Sequence, residues 1–497
     1  MGFGVLLLSS IFILMGCKKD FLDRTTQGQY TESTYPYPTG SGPYDPTIFE
    51  AYNALRAYGV SAAGFIAAVS IRSDDADKGS TPADGPSSLQ FDNFTLNPTN
   101  GLLNIMWVDH FSLINRCNII LDQVAKDASP LTAPEAKTVA QAEARFIRGY
   151  AYFMMVRYFG RVPIVDSIFT DAAAQANLPQ SNPAQIYAFI ESDLQFAAEN
   201  LPPSWESKFI GRSTSGAANG LLAKVYLTQQ KWGLAKSTAN LVIQSGLYDL
   251  STPYNTIFGE AGENSKESVF EIQATATANE KRAFGVQYAS DQGVRGSGIW
   301  NLGNGFNTPS TFLEAAYEPG DPRKARTILY AGQTSIYNEA VPSGLPNPRY
   351  NHKVLSNPAF RARYLDNFGW WMNVRVLRYA DVVLMYAEAA NETGDIAEAL
   401  AKLELVRARA RGGNNAILPR VTTTDPDLIR DAIRHERRVE LAMEHERFFD
   451  LVRWGLAGPV LQSAGKNFVT GRDEILPIPQ TQIDLSKGVL TQNFGFN

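Results

Sequence analysis

Apolar residues recur along most of this chain at separations of three and four, the period that gathers side chains on one face of an α-helix. Ala218, Leu221, Leu222 and Val225 share such a face, and Trp232, Ala235, Ala239 and Val242 share the next. The arrangement returns later, where Val376, Ala380, Val383, Leu384 and Ala387 form one stripe and Ile396, Ala399, Leu400 and Leu403 the following one. The two pairs align without a gap. Ala223, Trp232, Ala235 and Ala239 match Ala387, Ile396, Ala399 and Leu403, with identical separations of nine, three and four. Small residues at fixed points let antiparallel helices approach closely, and a bulky residue after the turn packs between them.

This spacing resembles the tetratricopeptide repeat, and Gly394-Asp395 at the second turn suits a helix stop. A third hairpin is predicted from a helix over about 137–158, ending at Tyr158-Phe159-Gly160. Its partner opens at Asn182-Pro183, a helix-capping residue followed by proline in the first turn, and runs through Ile186, Phe189, Ile190 and Leu194. A further helix, over about 427–455, is dense in charge from His435, Glu436, Arg437 and Arg438 to Asp450 and Arg453. Such density suits a solvated face with paired charges or a packed ion-pair network. The stretches 72–100 and 251–372 have little periodicity and are too long for simple connectors. Loops held on a rigid frame are where binding residues gather. Strand–helix alternation is absent and no GxGxxG follows a predicted strand, which excludes a doubly wound sheet. The expected fold is mainly α: tetratricopeptide-like helical hairpins forming a scaffold, with a loop-rich irregular lobe.

Length and charge narrow the function. The 497 residues suffice for one large core or two modest ones, and a net charge of −5 without a block of like charges argues against a nucleic-acid binder. Of the two cysteines, Cys117 lies in an amphipathic helix as a small buried hydrophobe, so no disulfide framework exists. Cys17 follows the apolar run Phe3–Met15, which is too short to span a bilayer but suits a signal peptide. Leu14-Met15-Gly16-Cys17 resembles the lipobox of bacterial lipoproteins, where the cysteine is acylated and the chain is cut before it. Lys18-Lys19-Asp20 resemble the charged residues that send some lipoproteins to the cell exterior. The expected organisation is a signal peptide over 1–16, a lipidated tether over 17–45 and one domain over 46–497. Its helical scaffold covers about 47–70, 101–250 and 374–497, and its lobe covers 72–100 and 251–372.

Several segments together resemble the SusD/RagB family. They are Ala144-Arg145-Phe146-Ile147-Arg148-Gly149-Tyr150 continuing to Tyr158-Phe159-Gly160-Arg161-Val162-Pro163, then Gly320-Asp321-Pro322-Arg323. Val376-Leu377-Arg378-Tyr379-Ala380-Asp381 through Glu388-Ala389 follows, then Glu436-Arg437-Arg438-Val439-Glu440-Leu441 and Glu446-Arg447-Phe448-Phe449-Asp450. Leu476-Pro477-Ile478-Pro479-Gln480 and Gln492-Asn493-Phe494-Gly495-Phe496 close the chain. The resemblance spans nearly the whole mature chain. It implies a non-enzymatic, lipid-anchored outer-membrane protein that binds an oligosaccharide, or in some members a peptide. It also implies delivery to a partner, a TonB-dependent transporter of the SusC type. No cofactor is implied. Most of these motifs hold helices together, whereas the ligand site is built from an early loop and a middle lobe, about 72–104 and 284–308 here.

Candidate chemistry is concentrated in the irregular stretches. Asp74, Asp75 and Asp77 form an acidic cluster able to accept sugar hydroxyls or to ligate a hard cation, without EF-hand spacing. Sugar recognition needs flat aromatic faces and planar polar groups, and Trp300-Asn301, Phe306-Asn307 and Trp370-Trp371 supply both, with Gly298, Gly303 and Gly305 permitting close approach. Trp107, in register with Phe111 and Ile114, reads as core. His110, His352, His435 and His445 form no zinc motif, and no GxSxG elbow occurs. Two alternatives stand beside nutrient binding. One is a lipid-anchored glycoside hydrolase, which needs only two suitably spaced carboxylates. The other is a tetratricopeptide-type scaffold for other proteins.

Overall fold

The computed structural model describes residues 42–129, 132–169, 171 and 177–496. The signal peptide, Cys17 and nearly all of the tether lie outside the described residues. Principal helices are labelled here in chain order. Helix α1 (Asp45–Ala54) has Pro46 in its first turn and buries Ile48 and Ala51. Helix α2 (Gly101–Lys126) is capped by the Asn100 side chain, which accepts from the Leu102 N–H. It is followed by α3 (Pro134–Phe159). The predicted Asn182-Pro183 start is realised as a full capping box with Gln185, opening α4 (Pro183–Asn200). Next come α5 (Ser215–Thr228) and α6 (Trp232–Gln244), then the short α7 (Tyr288–Gln292). The last group is α8 (Tyr379–Glu392), α9 (Ile396–Arg411), α10 (Pro426–Glu440) and α11 (Arg447–Arg453).

Consecutive helices pack side by side: α2 on α3, α3 on α4, α4 on α5, α5 on α6, then α6 on α8 and α8 on both α9 and α10. The matched small positions explain how. Ala223, Ala235, Ala239, Ala387 and Ala399 are fully buried, while Trp232 and Ile396 lie half-buried against the same core. Trp107 and Cys117 are buried in that core as expected. Burying each large aliphatic or aromatic side chain here contributes about 1.5–3 kcal/mol.

Among the described residues, six short strands form three antiparallel two-stranded sheets. They are β1 (Ala76–Gly79) with β3 (Phe306–Pro309), β2 (Ser268–Ile272) with β6 (Val374–Arg378), and β4 (Ile328–Tyr330) with β5 (Arg349–Asn351). Three expectations need correcting. Val376 belongs to β6 rather than to the helical stripe that follows, because its backbone is drawn into pairing with β2. The domain starts before residue 46: Tyr44 is buried and bonds Asp127, and buried Asp45 pairs with Arg212 at 2.9 Å. The helix predicted over 427–455 is two helices, α10 and α11, with Met443 and His445 between them at positive φ. The break turns Glu444 inward, where it pairs with Lys353 and Arg378.

Much of the charge on α10 and α11 is therefore internal, while Asp427 and Asp431 stay exposed. Arg437 is 1% exposed and bonds Asp381 of α8 at 2.8 Å and Asp450 of α11 at 2.9 Å. Lys224 of α5 reaches the other oxygen of Asp381 at 2.7 Å. Burial pushes the Asp381 carboxyl up, but Lys224 and Arg437 outweigh it and hold the group well below the ordinary carboxylate range. Glu440 meets Arg323, Arg378 and Arg409 at 3.1, 3.0 and 2.6 Å. Asp321 braces Arg323 at 2.8 Å, so the middle-lobe motif is bolted to α10. Such a seam adds little net stability over an apolar equivalent, yet removing one partner strands a buried charge and costs about 3–5 kcal/mol.

Candidate functional site

Asp74 and Asp75 are buried, and both are spent on the seam. Asp74 pairs with Arg447 and Arg438, each at 2.8 Å, and Asp75 pairs with Arg438 at 2.7 Å. Burial raises the Asp74 carboxyl, but Arg447 and Arg438 overcome it and leave it lowered. Their backbone carbonyls accept from the side chain and the N–H of Ser310, at the end of β3. The two carboxylates thus anchor β1 to the scaffold and are not free to meet a ligand. Asp77, one residue into β1, is exposed.

The ribbon β1–β3 joins the two irregular stretches, with Asp77 opposite Thr308 and Gly79 opposite Phe306. A Cβ on Gly79 would lie 2.5 Å from the Gly305 carbonyl oxygen, and φ there is +71°, so only glycine fits. Beyond it, residues 80–85 curl back over Phe306. Gly85 lies so close to that ring that a Cβ would meet its Cε1 at 2.6 Å. Lys78 Nζ donates to the carbonyls of Thr81 and Asp84 at 2.8 Å each, closing the curl, and sits 5.9 Å from the Phe306 ring centre. Asp84 accepts from Thr81 Oγ1 at 2.7 Å and Ser80 Oγ at 3.0 Å and pairs with Arg295 at 2.8 Å. The two hydroxyls are the main reason its carboxyl sits below the usual range. Asn347 Nδ2 donates to the Ser80 carbonyl at 3.0 Å.

On the middle-lobe side, Arg295 and Asn301 form an antiparallel bridge, and Asn301 and Asn304 are exposed. Asn304 Nδ2 donates to Asp291 Oδ1 of α7 at 3.1 Å. Burial pushes the Asp291 carboxyl up to about 7. The face therefore presents a half-buried aromatic ring, a guanidinium, three amides, the exposed Asp77 and the half-buried Asp84, groups able to meet the C–H surfaces and hydroxyls of a sugar.

The other expected contacts lie inside. Trp300 is 4% exposed and packs among Val294, Leu302, Leu329, Val341, Tyr350 and Leu355 as the core of the lobe. Asn307 is fully buried, at φ +56°, and donates to Gln292 Oε1 at 2.7 Å. Trp370 is buried with Arg282 5.0 Å from its ring, and Trp371 donates to Glu260 at 2.9 Å. These are corrections. Trp300 and Trp371 fill small cores of a lobe that lacks long helices, and Asn307 is held by its bond to Gln292. Asp77, Asn301 and Phe306 remain on the face. Asp84, Arg295, Asn304 and Asn347 were missed, and the available signal was the glycine density around them, which marks backbone brought close to other chain. Among the described residues no cluster of His, Cys, Asp and Glu is arranged to hold a metal ion.

The fold is a tetratricopeptide-like helical scaffold carrying a loop-built face, and the comparisons agree on the fold. A model described as the SusD family matches residues 266–496, and one described as starch-binding, associating with outer membrane, matches residues 57–227. The chain belongs to the SusD/RagB family. SusD-like protein P2 of Formosa agariphila is 29% identical over 450 residues, covering 86% of this chain and 87% of its own. A SusD-like protein of Bacteroides ovatus is 27% identical over 494 residues, covering 90% and 82%. Among solved structures, a laminarin-binding SusD-like protein superposes with a TM-score of 0.74 at 28% identity, over 91% of this chain and 98% of its own.

Proposed function

We propose that this protein is a cell-surface lipoprotein, anchored through Cys17, that binds an oligosaccharide on the β1–β3 face and hands it to a SusC-type TonB-dependent transporter. The observation that carries this reading is the meeting of the two irregular stretches in the β1–β3 ribbon, where Gly85 and Lys78 lie against the half-buried Phe306 ring, Arg295 and Asn347 bond the curl over it, and Asp77, Asn301 and Asn304 are exposed nearby in sequence. The laminarin-binding relative supports a saccharide over a peptide. The outer-membrane description of the matching family model supports the location. The role is capture without cleavage: Asp84, half-buried in the curl over the ring, is held below the ordinary carboxylate range by hydroxyls and Arg295, whereas a general acid needs a carboxyl kept protonated by burial and open to the substrate. Asp291, which burial does raise, is itself buried beneath the face and bonded to Asn304.

Calorimetry of the full chain against neutral oligosaccharides, β-1,3-glucans included, and a peptide panel tests this. An oligosaccharide binds with no new reducing ends, and Phe306→Ala weakens it about tenfold, or about 1.4 kcal/mol. Released reducing ends, or binding restricted to peptides, would contradict it. Transfer is tested separately, by co-purification with a barrel partner.

A further inference from the structure

Apart from the β1–β3 face, a groove of about 550 Å³ runs between α1, residues 208–212 and the chain from Ile272 to Phe284. Its size falls in the range of small-molecule sites, about 300–1,000 Å³. Phe49, Ile210 and Phe284 leave 39%, 56% and 49% of their surfaces open on its walls. Arg56 enters from the turn after α1, donating to the Phe284 carbonyl and to Asn53 Oδ1.

Arg56 differs from the other two cations that line the groove. Arg212, also lining the groove, is neutralised by Glu143 and Asp45, and Lys208 pairs with Glu206 at 3.4 Å. Among the described residues no carboxylate pairs with Arg56, and burial alone acts on it, lowering its pKa with no acidic neighbour to offset the cost. A half-desolvated guanidinium without a carboxylate partner, in a groove walled by Phe49 and Phe284, is a prepared seat for a carboxylate, which it grips through paired N–H donors.

We propose that this groove is a second saccharide site, selective for a uronate: Arg56 pairs with the sugar carboxylate while Phe49 and Phe284 take the C–H faces of the ring. A peptide strand fits less well, because it needs unpaired backbone groups along an edge. Here the Ala274 N–H is taken by Asn373 Oδ1 at 2.8 Å and the Thr275 N–H by the Phe284 carbonyl at 2.9 Å.

The test is calorimetry of the full chain with trimers of galacturonate, glucuronate, mannuronate and guluronate, each against its carboxyl-reduced neutral counterpart. At least one acidic trimer binds about tenfold or more tightly than its neutral form. Arg56→Gln removes that preference and Phe306→Ala preserves it. A neutral oligosaccharide saturating the β1–β3 face fails to displace the acidic trimer, a readout that holds even if Arg56→Gln folds poorly. The proposal is overturned if no acidic trimer binds, if Arg56→Gln keeps the preference with an unchanged melting temperature, or if the neutral oligosaccharide competes. It is equally overturned if a glutamate tripeptide binds as well as the best trimer. Loss of neutral binding alone would count against the β1–β3 reading and leave this one standing.

Discussion

The seam along α10 and α11 and the face around Phe306 are built from the same polar residue types, yet wired in opposite ways. In the seam, Arg437, Glu440, Asp381 and Asp450 are all buried, and each charge is met by one or more opposite charges. On the face, Asp77, Asn301 and Asn304 are exposed, and Phe306 keeps part of its ring open. The difference teaches that polar density by itself does not mark a binding site. Charge that is fully paired inside the fold holds elements in place, while amides and an aromatic ring left partly open can exchange their water for a ligand.

The sharpest way to break this contrast is to strand a charge in the seam. Arg437→Met leaves Asp381 and Asp450 buried together and is expected to lower stability by about 3–5 kcal/mol in urea unfolding. A comparable loss for an exposed-face variant such as Asn301→Met would erase the distinction. Acid probes the same region. Burial opposes ionisation of Asp381 and Glu440, but their cationic partners win and depress both carboxyls. Their stabilisation is therefore present above the unfolded value, about 4, and lost as pH falls below it. Melting temperature should drop steeply from pH 5 to pH 3, and less steeply in Asp381→Asn, measured relative to its own pH 5 value.

Trp300 and Phe306 sharpen the comparison within one loop. Trp300→Ala should cost about 3 kcal/mol of stability through the cavity it leaves, while Trp300→Phe keeps saccharide affinity. Phe306→Ala should do the reverse, with near-native melting and about tenfold weaker binding. The smallest effect is expected beneath the face. Asp291 has its carboxyl raised to about 7 by burial, so its neutral form is favoured in the fold and stability falls as pH rises towards and through that value. Asp291→Asn should raise the melting temperature more at pH 8 than at pH 5.

These same residues show what was legible beforehand. The hairpins were, because Ala223, Ala235, Ala387 and Ala399 carry a local period and Asn182-Pro183 a local start signal. The family resemblance implied that parts of the two irregular stretches build the ligand site together, and the β1–β3 ribbon joins them. Trp300-Asn301 and Phe306-Asn307 read identically as an aromatic followed by an amide. Yet the first buries its ring and exposes its amide, and the second does the opposite. The pairing of β3 with β1, far away in the chain, decides it, and no local pattern encodes that register. The break between α10 and α11 was equally hidden. Met443 is not a residue that normally announces positive φ, and the distant Lys353 and Arg378 draw Glu444 inward.

The most direct test of the account is hydrogen–deuterium exchange of the full chain with and without a saturating oligosaccharide found in the binding panel. The account predicts slowed exchange confined to about 76–85 and 293–309, with α10 and α11 already protected and unchanged. Protection that spares both segments and falls elsewhere would contradict it.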